Sequence, residues 1–79
     1  MLTIILFTKV GCGLCDEIKD TLATFQITHP HRLQEIDITQ DSALFKQYRY
    51  AIPVVRIGNK ELAAPITAVQ LQDALQEAT

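Results

Sequence analysis

The sequence predicts an α/β fold: a β-α-β-α-β-β-α chain that builds one four-stranded mixed sheet flanked by three helices. Three observations carry this expectation. A continuous apolar run rich in β-branched residues opens the chain at Leu2–Thr8. The hydrophobic period becomes helical from Gly13. Gly58-Asn59 then separates two short runs as a two-residue hairpin turn would.

The run LTIILFT lacks the alternation of a half-exposed strand, so it suits a strand buried on both faces at the centre of a sheet. Beyond Gly11 and Gly13, Cys15, Ile18, Leu22 and Phe25 recur at helical steps, while Asp16, Glu17, Lys19 and Asp20 face elsewhere. This predicts an amphipathic helix of about three turns. His29-Pro30-His31 breaks the chain, with Pro30 as a stop and both histidines expected in an exposed loop. Arg32–Ile38 reads as a second strand with Ile36 and Ile38 on one face. Asp41–Tyr48 reads as a short helix carrying Leu44, Phe45 and Tyr48. Pro53 opens a third strand, Val54–Ile57, and the Gly58-Asn59 turn leads into Lys60–Ala64; both turn residues tolerate the positive φ such a connection uses. Thr67 and Gln70 have capping-box spacing ahead of a last helix whose Ala68, Leu71, Leu75 and Ala78 are expected inward. The first strand–helix–strand unit requires a parallel pair with a right-handed crossover, and the hairpin adds antiparallel strands.

A chain of 79 residues suits one domain over residues 1–79. A net charge of −2 with no Lys/Arg run leaves no electrostatic footprint for nucleic acid or an anionic membrane. The apolar opening is too short to span a bilayer, which takes about 20 residues. It also lacks the basic start and small-residue cleavage pattern of a secretory signal. A cytoplasmic protein is expected, and in that reducing compartment a cysteine pair is catalytic or metal-binding rather than a permanent staple.

Both cysteines lie in KVGCGLC, where the strand passes into the helix. Cys12 falls just before the first helical turn, where unpaired backbone N–H groups and the helix dipole favour a negative charge and lower a thiol's pKa. Cys15 is one turn in, on the stripe of Ile18 and Leu22, and is expected to be more buried. The pair therefore reads as a reversible dithiol with unequal partners. A zinc half-site needs about two more ligands. The candidates, His29 and His31, follow the far end of the helix with the wrong spacing, so no metal is expected. Lys9, three residues before Cys12, is either a solvated surface lysine or the charge that steadies the thiolate. Leu14 is either an ordinary helix residue or an apolar contact beside the sulfur.

Strand, K-x-x-C-x-x-C, helix and a later Ile52-Pro53 that starts a strand and hairpin together resemble the glutaredoxins of the thioredoxin superfamily. With "IPVVRI" and "APITAVQLQDAL" downstream, the chain is especially similar to the short glutaredoxin-like proteins, over essentially its whole length. The resemblance implies a thioredoxin-like fold, with Cys12 as nucleophile, Cys15 as resolving thiol and Pro53 as a cis-proline. Ile52 would then present free N–H and C=O groups to a substrate segment, and Lys9 would meet a glutathione carboxylate. Gly13-Leu14 stands where glutaredoxins carry Pro-Tyr, Ala51 where they carry Thr, and Ala63–Thr67 where they carry Gly-Gly and an acidic residue. Gly11 stands where thioredoxins carry Trp. The implied activity is that of a small monomeric thiol-disulfide oxidoreductase without a tightly bound cofactor. It would reduce protein disulfides or glutathione mixed disulfides, with glutathione as co-substrate. The alternative is an iron–sulfur carrier or assembly module using Cys12 with glutathione.

Overall fold

The computed structural model describes residues 2–78, so the outermost bounds of the expected 1–79 domain lie outside the described residues. Strands β1 (Leu2–Thr8), β2 (His31–Asp37), β3 (Val54–Ile57) and β4 (Lys60–Ala63) form one sheet in the order β2-β1-β3-β4. Helices α1 (Gly13–Thr24), α2 (Ser42–Tyr48) and α3 (Ala68–Ala78) flank it. The β1–β2 pair is parallel, with Leu2 opposite His31; β1–β3 and β3–β4 are antiparallel. This is the thioredoxin-like α/β architecture. No helix among the described residues is long and apolar enough to cross a membrane.

Alternation along β1 sorts the core into two clusters. Ile4 and Leu6 join Ile18 and Leu22 of α1, Val55 and Ile57 of β3, and Leu71, Ala74 and Leu75 of α3. Phe7 joins Val54, Ile38 and Tyr48 of α2, with Ile5, Leu44 and Phe45 packed alongside. A central strand that serves both clusters has no polar face to offer, which is why its sequence shows no alternation.

Several boundaries differ from the sequence reading, each for a local reason. β2 starts one residue earlier and ends at Asp37, whose carboxylate accepts from the Thr39 N–H (2.9 Å) and hydroxyl (2.6 Å). That cap turns Ile38–Gln40 into a short 3-10 helix, so Ile38 is buried in the second cluster without belonging to the strand. Asp41 caps α2 by accepting from the Ala43 and Leu44 N–H groups, which makes it the residue before the helix. His31 is no exposed loop residue: it is 4% exposed, its backbone N–H bonds to Gln26 Oε1, and its Nδ1 lies 2.8 Å from the His29 carbonyl. In the β3–β4 turn only Gly58 has positive φ (+56°), as at the first central position of a type II′ turn, and Asn59 does not. The capping box is reciprocal: the Gln70 N–H donates to Thr67 Oγ1 at 3.1 Å and the Thr67 N–H to Gln70 Oε1 at 2.8 Å. On α3, Ala68 is exposed although expected inward, and Ala74 is buried beside Leu71 and Leu75.

Candidate functional site

The site begins where β1 ends. Gly11 takes φ +83°, a left-handed conformation that L side chains avoid, and this turns the chain from the strand into α1. The turn is closed by the Cys12 N–H donating to the Lys9 carbonyl at 3.3 Å. Cys12 then caps α1 with extended backbone (φ −87°, ψ 98°), and its Sγ accepts the Cys15 N–H at 3.1 Å. An N–H aimed at a sulfur beside a helix N-terminus favours its anionic form.

The two cysteines are joined as a disulfide with their Cα atoms 5.2 Å apart. Their surroundings differ as the helical stripe predicts: Cys12 is half-buried, whereas Cys15 is 1% exposed among the apolar residues of α1. A reactant from solvent therefore meets Cys12 first. Asp16, in the first turn of α1, is paired with Lys19 at 3.2 Å, and Lys19 also reaches Glu35 of β2 at 3.2 Å. These two carboxylates, Glu35 ahead of Asp16, hold the Lys19 ammonium above its ordinary pKa. The Asp16 charge beside the cysteines is thus partly balanced.

The other expected site residues divide. Lys9 is exposed and makes no ion pair among the described residues. Leu14, 58% exposed, and the buried Pro53 are brought together on one cleft of about 480 Å³. The Ile52–Pro53 bond is cis, as the resemblance implies, and so is Ala64–Pro65, for which the sequence reading has no expectation. Ile52 departs from its expected role in one respect: its N–H is not free but donates to the Tyr48 carbonyl at 3.1 Å, finishing the end of α2. Its side chain packs on the second core cluster and does not line the cleft.

The remaining walls of the cleft are residues to which the sequence reading gives no binding role. One is the side of α1 at Glu17, Ile18, Asp20 and Thr21; the other is Ala64–Ile66, between β4 and α3. The Ala64 N–H donates to the Pro53 carbonyl at 3.1 Å, so the two proline segments are held side by side. Glu17, Asp20 and Thr21 follow one another at helical spacing from Leu14, a signal the sequence does carry; the approach of Ala64–Ile66 depends on the fold. Among the described residues, no three of His, Cys, Asp and Glu are grouped to hold a metal ion.

Comparison with known proteins agrees with this geometry. The model of the Glutaredoxin-like domain (DUF836) matches residues 3–77. A solved protein of X. campestris is similar at 28% identity, with 96% of this chain and 99% of that one covered and a TM-score of 0.80. Protein Ne2328 of Nitrosomonas europaea is similar at 24% identity (91% and 88% covered, TM-score 0.77). Oxidised thioredoxin O2 of Arabidopsis thaliana shares the fold at 19% identity, with 98% and 74% covered and a TM-score of 0.76.

Proposed function

Since the chain belongs to the glutaredoxin-like domain family, we propose that it is a thiol-disulfide oxidoreductase that reduces protein disulfides or glutathione mixed disulfides through Cys12 and Cys15. One observation carries the division of labour: Cys12 is half-buried at the cap of α1 and its Sγ accepts an N–H, while Cys15 is sealed one turn in.

In the reduced protein, the Cys12 thiolate attacks one sulfur of the substrate disulfide. A Cys12–substrate disulfide forms, the substrate S–S bond breaks, and the leaving thiolate takes a proton. The Cys15 thiol loses its proton and attacks Cys12 Sγ, forming Cys12–Cys15 and expelling the second substrate thiolate, which is protonated in turn. The substrate gains two electrons and the protein loses two. Two external thiols, such as two glutathiones, return them and regenerate the dithiol. Leu14 supplies an apolar contact next to the attacking sulfur, Pro53 the floor, and the Ile52 carbonyl an acceptor for a substrate backbone N–H. Lys9, outside the cleft lining, contributes a positive charge at the turn before Cys12. The enzyme acts as a monomer in the cytoplasm, with no tightly bound cofactor.

The test is differential reactivity. Iodoacetamide on the reduced protein at pH 7 should alkylate Cys12 roughly tenfold faster than Cys15 or more, as a thiolate-favouring site requires. Cys12→Ser should abolish disulfide reduction, whereas Cys15→Ser should accumulate mixed disulfides visible by mass. Equal alkylation rates would overturn the assignment.

A further inference from the structure

The cleft that starts at Leu14 is apolar along its floor, at Pro53, Pro65 and Ile66, and acidic along one wall. Glu17 and Asp20 form that wall; both are exposed, and neither has an ion-pair partner among the described residues. No Lys, Arg or His lines the cleft. Glutathione carries two carboxylates and one ammonium at neutral pH, so it brings net negative charge to a wall of like sign. Meanwhile Val10 (90% exposed) and Leu14 (58% exposed) leave large apolar side chains uncovered on both sides of Cys12 in the chain. Exposed apolar side chains flanking a reactive cysteine in the chain fit a polypeptide better than a small hydrophilic thiol.

We infer that this cleft takes a cationic peptide segment, with a Lys or Arg a few residues from the substrate's disulfide cysteine, so that protein disulfides are preferred over glutathione mixed disulfides. The inference rests on the oxidoreductase reading of Cys12 and Cys15. The dimensions agree with it. Glu17 and Asp20 lie about 7.5 and 12 Å along α1 from Cys12 at 1.5 Å per residue. An extended substrate advances about 3.3 Å per residue, so residues two to four positions from its cysteine come level with the carboxylates. A Lys stem laid on Pro53 and Pro65 leaves its ammonium at the acidic wall.

The experiment is single-turnover oxidation of pre-reduced, desalted protein by three symmetric peptide disulfides. They are identical except for Lys, Gln or Glu at the second and fourth positions from the cysteine. Each rate is divided by the rate at which the neutral dithiol dithiothreitol reduces the same peptide, which removes the peptide's own reactivity. At low ionic strength the normalised Lys-to-Glu ratio should be roughly three- to tenfold, the size expected of two exposed charge pairs. It should fall toward one in 1 M salt, where the Debye length is about 3 Å, an arm that needs no variant. It should also collapse in Glu17→Gln/Asp20→Asn and survive in Asp73→Asn, which removes a charge from α3 outside the cleft lining. A ratio near one in the unaltered protein overturns the substrate assignment while disulfide reduction stands. An equal collapse in Asp73→Asn overturns it as well, by tracing the preference to net charge. Failure to oxidise with any peptide overturns the oxidoreductase reading itself.

Discussion

On one face of the sheet, Ile4, Leu6, Val55 and Ile57 meet two helices of 12 and 11 residues in a wholly apolar cluster. On the other, Phe7 and Val54 meet one α-helix of 7 residues and Ile38 of the short 3-10 helix. That thinner layer is supplemented by oriented groups. The Phe7 and Tyr48 rings stack with centroids 4.5 Å apart, and Arg56 lies over Phe7 at 5.2 Å. The Tyr48 hydroxyl donates to Glu61 Oε1 at 3.0 Å, and Arg56 pairs with the same oxygen at 3.0 Å. The redox pair is built on the first face: Cys15 continues the α1 stripe of Ile18 and Leu22, so dense apolar packing fixes the sulfur that must stay covered. The second face ties α2 to the β3–β4 ribbon by directed bonds, and so fixes the segment between them that carries Ile52 and Pro53.

The largest effect expected from breaking this comparison is on the apolar face. Leu22→Ala should lower unfolding free energy by about 2–5 kcal/mol, because a fully buried side chain leaves a cavity. Leu44→Ala on the α2 face, where the residue is half-buried, should cost about 1–2 kcal/mol. Denaturant titration of the two variants measures the asymmetry, and equal losses would refute it. Next in size is Tyr48→Phe, which keeps the ring stack and removes the hydroxyl, at a cost of about 1 kcal/mol. Burial first, then the hydrogen bond to Glu61 and its charge, hold the Tyr48 phenol above its ordinary pKa. A raised pKa means that the hydroxyl's contribution is complete below about pH 10, the unfolded value, and is lost as pH rises through the folded one. Wild-type and Tyr48→Phe stabilities should therefore converge in alkali; a constant gap would place the network elsewhere. The smallest effect should come from Asp37→Asn at the half-buried end of β2. The Thr39 hydroxyl and then its N–H hold the Asp37 carboxyl below its ordinary pKa. A depressed pKa stabilises above about pH 4 and ceases to do so as pH falls through the folded value. The variant should be slightly weaker than wild type at neutral pH and equal to it in strong acid, by the same titration.

What the sequence discloses is what short-range chemistry decides. The unbroken apolarity of Leu2–Thr8 reports a strand with two buried faces, and the step from Cys15 to Leu22 reports the stripe that makes the cysteines unequal. Thr67 and Gln70 announce their own cap. The inaccuracies lie where a local competitor or a distant partner decides. Asp37 can end a strand as readily as continue it, because its side chain reaches the backbone two residues on. His31 is buried only because β2 pairs with Leu2 and Gln26 turns back to meet its N–H. The Ile52 N–H is taken by Tyr48, a helix-end bond that appears only once the length of α2 is known. The cleft needs Pro53 and Ala64–Ile66 beside α1, segments far apart in the chain, and no periodicity encodes that approach.

The place of β1 in the sheet bears on how the chain is made. It precedes the other three strands of the sheet in the sequence, yet it lies second in the order and needs neighbours on both edges. Its parallel partner begins at His31, and Ile4 meets Ile57 only when most of the chain exists. While the chain emerges from the ribosome, the most apolar strand thus waits with one edge open until β3 arrives, since non-local pairings form only after long loops close. An uncovered strand edge of this kind is what holding chaperones and neighbouring nascent chains bind. Synthesis that stalls before Val54–Ile57 has cleared the ribosomal tunnel would release a fragment with β1 incompletely paired.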